Sequence, residues 1–274
     1  MLFDGPPAEL LRDHGAQLAG LGLLPADLQA GAAAARRARA AQREAGPLLE
    51  VKGLTFTYPG AVRPALADVS LSLQPGEWAL LVGSNGSGKT TLSQLLMGLQ
   101  PLPRGRLFWR GRDLFRTPVE QLAREIGYVF QQPEHQMVAS SVWEECLFGV
   151  RAQLNLRAGQ EIPRAERERA EALLLQAGLW DKREDSPYLL SGGEKRLLSV
   201  IAQFILPKSL YILDEPTAGT DYRGIQILLE LCRQQAAAGA ALLVITHDPQ
   251  WMEEDADLCC QLEQGNMLVR RLGD

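Results

Sequence analysis

A glycine-rich loop is the part of this chain whose residue types and spacing point most directly to chemistry. Its residues are Gly83, Ser84, Asn85, Gly86, Ser87, Gly88, Lys89 and Thr90, followed by Thr91. They fit the phosphate-binding pattern G-x-x-x-x-G-K-[ST]. Backbone N–H groups of such a loop can wrap a phosphate, Lys89 can reach the outer phosphates, and the Thr90 hydroxyl can hold magnesium. The loop predicts nucleotide binding, and a glycine-rich turn without chemistry is the alternative.

Two carboxylates form a second candidate group. Asp214 and Glu215 follow the apolar run 210–213, and the ends of buried strands are where open α/β sheets bind ligands. Asp214 suits magnesium, and Glu215 suits the activation of a water that attacks the last phosphate. Taken alone, the pair could be an acidic strand end in solvent. Together with Lys89, it indicates a site that hydrolyses a nucleotide.

A third group opens a helix. Ser191, Gly192, Gly193 and Glu194 precede apolar residues at helical spacing. Such a helix start offers free N–H donors, a hydroxyl and the positive end of the helix dipole, which together can bind an anion. For Ser191 alone, an ordinary N-cap is the simpler explanation.

The elements that position these groups are predicted from the spacing of apolar residues. Continuous apolar runs, typical of strands buried on both faces of a mostly parallel sheet, are residues 78–82, 126–130, 210–213 and 241–245. Alternating patterns that indicate half-buried antiparallel strands are residues 54–58 and 69–73, and a short strand is expected within 105–111. Helical patterns lie between the parallel strands, so we expect an α/β fold.

Two helical stretches bear on the site. After the phosphate loop, Leu92, Leu95, Leu96 and Leu99 recur at helical spacing. The stretch from about 135 to 190 contains charged helical patterns, such as residues 164–176, and no convincing strand. We expect it to be a helical subdomain inserted between two strands of the core.

Composition limits the possible partners and compartments. The 274 residues are 46% hydrophobic, which is enough for one large core or two smaller ones, and the net charge is −5. The acidic balance argues against nucleic acid as a partner. No stretch approaches the roughly 18 apolar residues that span a bilayer, so the chain is expected to be soluble in the cytosol. Four cysteines without C-x-x-C spacing are expected to be free thiols.

The order and spacing of the motifs resemble those of ATP-binding cassette (ABC) ATPases over about residues 48–265. The residues that carry the resemblance are 83–90, 190–194, Leu213-Asp214-Glu215-Pro216-Thr217 and His247. The resemblance implies a P-loop fold over residues 47–274, with a RecA-like, mostly parallel sheet, an antiparallel β subdomain and an inserted helical subdomain. ATP and Mg²⁺ are the cofactors that it implies.

The resemblance also implies a role for each motif residue. Tyr58 would stack on adenine, although it could only pack. Gln131 would contact the attacking water and, with Thr90 and Asp214, magnesium. Glu215 would be the catalytic base and His247 would sense the γ-phosphate, although a lone histidine at a strand end is usually structural. Residues 191–194 would contact ATP on a second nucleotide-binding domain, so a monomer would be a poor catalyst.

Residues 128–136 and 141–149 resemble the ATPase components of energy-coupling factor transporters, which import cobalt and vitamins in prokaryotes. This implies a transmembrane coupling protein and a substrate-capture membrane protein as partners, and a peripheral position on the cytoplasmic face of the membrane. His135 and the residues after Gln131 would then belong to a docking surface. A soluble cassette protein acting on ribosomes or DNA is the alternative, and a P-loop kinase would leave residues 190–194 without a role.

Two features depart from the family pattern. Thr220 stands before Asp221 where the family usually has leucine, which bears on whether the two ATP sites are equivalent. Residues 1–46 end in an Ala/Arg-rich linker, and their first part resembles what normally follows the last strands of a cassette. We therefore expect either the tail of a preceding cassette, which makes this the second half of a tandem ATPase, or an unrelated extension.

Overall fold

The computed structural model describes residues 46–157 and 160–272. Within these ranges, ten strands and six α-helices form an α/β fold, which confirms the predicted class. The predicted extension 1–46 lies outside the described residues except for Gly46, so its interpretation as the tail of another cassette stays a prediction.

A six-stranded sheet forms the centre of the fold. In spatial order its strands are β10 (Asn266–Arg271), β9 (Leu258–Glu263), β3 (Trp78–Val82), β8 (Ala241–Ile245), β7 (Leu210–Asp214) and β6 (Ile126–Val129). Neighbouring strands from β9 to β6 are parallel, and β10 is antiparallel to β9. Every residue of β6, β7 and β8 is buried, so these strands are apolar on both faces.

A smaller antiparallel sheet covers one side. Its strands, in the order β2-β1-β4-β5, are β1 (Leu49–Phe56), β2 (Leu66–Leu73), β4 (Leu107–Trp109) and β5 (Arg112–Asp113). The alternating pattern predicts the first strand at residues 54–58, but the strand spans Leu49–Phe56. The pattern does not reveal the first residues of the strand because Gly53, with φ of +55°, lies at a register shift that interrupts the alternation. The strand ends before Tyr58, whose carbonyl oxygen accepts the Ala61 N–H in the following turn.

Six α-helices complete the fold: α1 (Lys89–Leu96), α2 (Val119–Glu125), α3 (Val142–Gln153), α4 (Arg164–Gln176), α5 (Gly192–Phe204) and α6 (Tyr222–Ala237). Helix α1 is shorter than its leucine spacing predicts. It ends at Leu96 because Gly98 adopts φ of +69°, and Leu99 lies beyond it, 51% exposed. None of the described helices is long and apolar enough to cross a bilayer.

Hydrophobic clusters cover both faces of the central sheet. Tyr211 and Leu213 of β7 belong to a cluster with α5, in which the rings of Phe204 and Tyr211 lie 4.6 Å apart. Leu210 and Ile212 belong to the opposite cluster, with α1 and the antiparallel sheet. Because β7 is packed from both sides, its last residue, Asp214, is held firmly in place. All four cysteines are free thiols, as expected.

Candidate nucleotide-binding site

The predicted site residues meet at one edge of the parallel sheet. Gly83 follows β3, Gln131 comes shortly after β6, Asp214 ends β7, and His247 comes shortly after β8. Since β3, β8, β7 and β6 are parallel neighbours, their carboxyl ends lie side by side. The fold thus gathers residues that are far apart in the sequence.

The phosphate loop, residues 83–90, has two positions that require glycine. Gly83 adopts φ of +153°, and a Cβ there would stand 2.0 Å from the carbonyl oxygen of Leu262. Gly88 adopts φ of +113°, and a Cβ there would stand 2.5 Å from the carbonyl oxygen of Ala65. Both distances are far below van der Waals contact, so a side chain at either position would displace the loop.

Polar groups of this loop suit a polyphosphate. The Lys89 ammonium donates to the carbonyl oxygens of Gly83 at 2.7 Å and of Ser84 at 2.9 Å, which keeps its charge over the loop. The Ser87 hydroxyl is buried and has no hydrogen-bond partner among the described residues. An ammonium, an unpaired hydroxyl and the amide groups at the start of α1 are the donors that a phosphate needs.

A cavity of about 310 Å³ adjoins the loop. It is lined by Tyr58, Ala65, Asn85, Gly86, Ser87, Gly88, Lys89, Thr90, Thr91, Gln131, Asp214, Glu215 and Ile245. The side chains of Thr90, Gln131 and Asp214 supply hydroxyl, amide and carboxylate oxygens, which are the ligand types that Mg²⁺ prefers. Magnesium usually takes few protein ligands and completes its shell with phosphate and water, so this donor set fits it.

Tyr58 lines the same cavity and is held from two sides. Its ring meets Phe56 edge-on, with the ring centroids 5.0 Å apart, and its hydroxyl lies 3.2 Å from Thr91 Oγ1. Tyr58 therefore has the packing role that the sequence left open as an alternative. The position beside the loop also allows contact with a nucleotide base.

Asp214 is a buried carboxylate with a partner that the sequence did not predict. The Tyr128 hydroxyl, which lies 3.2 Å from Ser93 Oγ, donates to Asp214 Oδ2 at 3.4 Å. Burial, reinforced by the charge of Glu215, raises the pKa of Asp214. Burial also raises the pKa of Tyr128 to about 12, so its hydroxyl stays a donor at neutral pH. A bound divalent cation would offset the cost of burying the Asp214 charge.

Glu215 and His247 form a pair at the cavity wall. The Nδ1 atom of His247 lies 2.9 Å from Glu215 Oε2, and the His247 side chain is 70% exposed whereas Glu215 is buried. The hydrogen bond to Glu215 raises the pKa of His247. Glu215 adopts φ of +51°, a backbone conformation that residues other than glycine seldom adopt. Its backbone N–H donates to the Ile245 carbonyl oxygen at 2.8 Å, which fixes this conformation.

Two cations of α5 hold the chain around Gln131. Arg196 Nη1 donates to the Phe130 carbonyl oxygen at 2.9 Å, just before Gln131. Lys195 Nζ lies 3.4 Å from Glu134 Oε1, just after it. Helix α5 and the loop that carries Gln131 are therefore joined on both sides of that residue.

Residues 191–194, the helix-start segment, do not line the cavity. The Ser191 hydroxyl accepts the Glu194 N–H at 3.3 Å, and Glu194 Oε2 accepts the Ser191 N–H at 2.9 Å. This reciprocal capping box confirms the N-cap explanation for Ser191, and Gly192 and Gly193 form the first turn of α5. Glu194 Oε1 also lies 2.6 Å from Lys182 Nζ.

No site role for Tyr128, Arg196 or Lys182 followed from the sequence. Each reaches a predicted site residue or its loop from a different element, so the contact exists only in the folded chain. The sequence contains one weak indication for Tyr128, because this residue brings a hydroxyl group into an otherwise apolar strand. Another was available for Arg196, a charge that stands immediately before the apolar face of α5.

The fold and the site define a class of protein. A phosphate loop between a parallel strand and a helix, with carboxylates at the end of a neighbouring strand, belongs to P-loop nucleotide-binding proteins. The family model described as ABC transporter matches residues 66–218, more than half of the chain. The chain belongs to the ABC transporter family.

Individual relatives agree with this assignment. A putative ABC transporter ATP-binding protein of Pyrococcus furiosus is 34% identical over 220 residues, which cover 80% of this chain and 82% of that protein. The energy-coupling factor transporter ATP-binding protein EcfA2 of Methanospirillum hungatei is 33% identical over 225 residues, 81% of this chain and 55% of that protein. The chain spans only 28–39% of the length of several other curated relatives that it matches.

A solved structure has the same fold. It is that of cbiO1 from Clostridium perfringens, described as part of the ABC transporter complex cbiONQ, and it matches with a TM-score of 0.69 and 26% identity. The match covers 82% of this chain and 89% of that one. The resemblance inferred from the motifs is thereby confirmed at the level of family and fold.

Proposed function

We propose that this chain is the ATP-hydrolysing subunit of an importer of the energy-coupling factor type, which drives uptake of a vitamin or a transition-metal ion. The observation that carries the proposal is the meeting of the phosphate loop, Gln131, Asp214, Glu215 and His247 at one sheet edge. Similarity to EcfA2 and to cbiO1 supports the importer class.

The lining of the cavity supports nucleotide binding. The phosphates of ATP lie in the loop 83–90, where Lys89 exchanges its carbonyl contacts for phosphate oxygens, and Tyr58 contacts the base. Thr90, Gln131 and Asp214 would hold Mg²⁺, which would offset charge on the phosphates when bound. The neutral Tyr128 hydroxyl keeps Asp214 oriented.

Hydrolysis is assigned to Glu215. Its carboxylate lines the cavity beside Asp214 and can accept a proton from a water that attacks the γ-phosphate. His247 contacts the same carboxylate through Nδ1, so it can orient Glu215. It can also sense whether a γ-phosphate is bound, and its contact with Glu215 links that state to the carboxylate. Gln131 positions the attacking water, and the contacts made by Arg196 and Lys195 keep its loop in place.

The helix-start segment completes a second site. Residues 191–194 lie outside the cavity of their own chain, yet they carry a hydroxyl and, at Gly192 and Gly193, amides of the first turn of a helix. We propose that they contact ATP bound to a partner cassette, which is a second copy, a different cassette or a fused one. Two ATP molecules then lie between two cassettes, and a single cassette is a poor catalyst.

A docking face for membrane partners lies beside the Gln131 loop. We define it by the exposed apolar side chains of Phe130, Val138 and Leu189, which are 43%, 61% and 80% exposed. The Tyr188 hydroxyl donates to the Met137 carbonyl oxygen at 2.9 Å and so ties the two parts of this face together. Apolar side chains at this level of exposure support our proposal that a membrane coupling protein binds here and that the chain is a peripheral subunit at the cytoplasmic face.

Co-purification from the source cells tests the proposal. An affinity-tagged chain isolated from detergent-solubilised membranes should bring with it one or more integral membrane proteins and a cassette partner, and the complex should hydrolyse ATP. Recovery with ribosomes or DNA, and with no membrane protein, would instead favour the soluble alternative.

Dilution of the purified chain, without its proposed membrane partners, tests whether the ATP sites are shared between two cassettes. The ATPase rate per chain should fall as the protein is diluted below the concentration at which it pairs, because each site then lacks the partner's helix start. A rate per chain that stays constant where no pairing is detectable contradicts the shared-site proposal.

A further inference from the structure

Both carboxylate oxygens of Glu194 make defined contacts at the start of α5. Oε2 accepts the Ser191 N–H at 2.9 Å, and Oε1 lies 2.6 Å from Lys182 Nζ. The Lys182 contact is the main reason that the pKa of Glu194 lies below its ordinary value, and the Ser191 contacts add to it. Glu194 is therefore ionised at neutral pH, and its charge stands within the helix-start segment.

This charge has two opposite effects. A carboxylate in the first turn stabilises the helix through the dipole and the capping box. The same carboxylate repels an anionic ligand that approaches the helix start, because like charges a few ångströms apart repel each other. An ammonium one hydrogen bond away converts the carboxylate into a neutral pair and removes most of that repulsion.

The chain holds Lys182 in position by contacts that do not involve Glu194. Lys182 ends the 3₁₀ turn Trp180–Lys182, and the Trp180 ring packs edge-on against Trp143 with centroids 5.8 Å apart. The Arg183 guanidinium lies 4.5 Å from the centroid of the Trp180 ring, and the Arg183 carbonyl oxygen accepts the Trp143 N–H at 2.8 Å. The turn is thus fixed to the start of α3.

Two other cations of the first turns of α5 are engaged elsewhere. Lys195 contacts Glu134, and Arg196 donates to the Phe130 carbonyl oxygen, so both point towards the Gln131 loop. In the described part of the chain, Lys182 is the cation that the structure pairs with Glu194.

We propose that Lys182 is a positioning residue for the polyphosphate of the partner cassette's ATP: it neutralises Glu194, so that the Ser191 hydroxyl and the amides of Gly192 and Gly193 can donate to the phosphate. This inference rests on the proposed function, because it requires ATP on a partner cassette. Lys182 acts through Glu194 and needs no contact with the nucleotide itself.

The test uses the complex isolated from membranes through a tag on this chain, and it measures the ATPase rate against the concentration of MgATP. Lys182→Met should raise the ATP concentration for half-maximal rate about three- to fivefold, the range expected for one partly exposed charge pair. Arg164→Met is the matched control. It breaks an exposed pair with Glu168 of the same 2.6 Å length in the helical region and should leave this concentration unchanged.

A double variant separates charge from structure. In a Glu194→Gln background the amide can still accept the Ser191 N–H but carries no charge, so Lys182→Met should change the half-maximal concentration by less than about 1.5-fold. Raising the salt concentration from about 0.05 to 0.5 M should shrink the effect of Lys182→Met in the unmodified background, because salt screens the partly exposed carboxylate.

The inference is overturned if Lys182→Met has the same effect in both backgrounds, or has no effect when Glu194 is present. A different result would reject the proposed function itself: no ATPase activity in the unmodified complex, or full activity in a Glu215→Gln complex. The two failures are therefore distinguishable.

Discussion

Among single residues, Glu215 is the one on which the proposed hydrolysis depends most. Glu215→Gln keeps the size of the side chain and removes the carboxylate that lines the cavity. We expect ATP to bind and to hold two cassettes together, while turnover falls about a hundredfold or more because the base is lost. ATPase rates and the binding of a fluorescent ATP analogue measure the two effects separately.

The control for this prediction is Glu230→Gln on α6. Glu230 is another carboxylate, paired loosely with Arg233 at 3.9 Å and outside the cavity, so its replacement should leave turnover unchanged. Undiminished turnover in Glu215→Gln would show that another group is the base.

In the protein without nucleotide or magnesium, the pKa of His247 should lie above its ordinary value. The hydrogen bond to Glu215 favours the protonated imidazole and raises its pKa above 6.5. The pair therefore stabilises the folded state fully below the unfolded pKa, and this contribution is lost as pH rises through the folded pKa. Titration of the His247 ring protons by NMR should give a pKa above 6.5, and Glu215→Gln should lower it.

Glu230→Gln provides the control. Glu230 lies on α6 outside the cavity and pairs with Arg233, so its replacement should leave the titration of His247 unchanged. Identical His247 titrations with and without the carboxylate would contradict the pairing.

The sequence predicted residues that belong to recognisable motifs, and it missed those whose role depends on contacts that form only in the fold. Lys89 and Thr90 belong to a contiguous pattern, so their proximity needs no tertiary structure. The hydroxyl of Tyr128 reaches Asp214 only because β6 and β7 are neighbouring parallel strands. Lys182 reaches Glu194 only because the turn before α5 folds back onto the start of α3.

At the scale of elements, the phosphate loop should be sensitive to a single methyl group. Gly83→Ala would place a Cβ 2.0 Å from the Leu262 carbonyl oxygen of β9, so the loop must move and ATP affinity should fall more than about tenfold. Gly86→Ala is the matched control, since a Cβ there meets nothing within 4 Å. Its φ of +78° still adds strain of about 1 kcal/mol, so we expect a smaller loss of affinity.

Equilibrium binding of a fluorescent ATP analogue checks this order. Equal losses in the two variants would mean that backbone conformation, and not the close approach to β9, makes glycine necessary at position 83.

Elements were predictable where burial is uniform and less so where the backbone departs from regularity. The runs at β6, β7 and β8 are buried on both faces, so their apolar sequences mark them well. The first strand was misplaced because Gly53 shifts its register, and α1 was overextended because Gly98 ends it. Glycine conformation follows from neighbouring contacts, which a spacing pattern does not contain.

At the scale of the whole molecule, the docking face should be separable from ATP binding. Leu189→Asp replaces the most exposed apolar side chain of this face with a charge, so we expect the chain to lose the proposed membrane partners in co-purification. ATP affinity should stay the same, because Leu189 does not line the cavity.

Leu268→Asp is the control for this prediction. Leu268 is also a strongly exposed leucine, at 68%, but it lies on β10, at the opposite end of the central sheet from β6 and the Gln131 loop. It should leave the association intact. Equal release by both variants would mean that added charge, and not this face, governs the association.

The left-handed backbone of Glu215 has a consequence for laboratory evolution. A φ of +51° costs a non-glycine residue about 1–2 kcal/mol, and glycine or asparagine would relieve much of that cost. A library selected for heat resistance alone should therefore enrich these two residues at position 215, and the survivors would tolerate higher temperatures while no longer turning over ATP. A selection for heat resistance that varies position 215 should therefore be combined with a screen for ATPase activity.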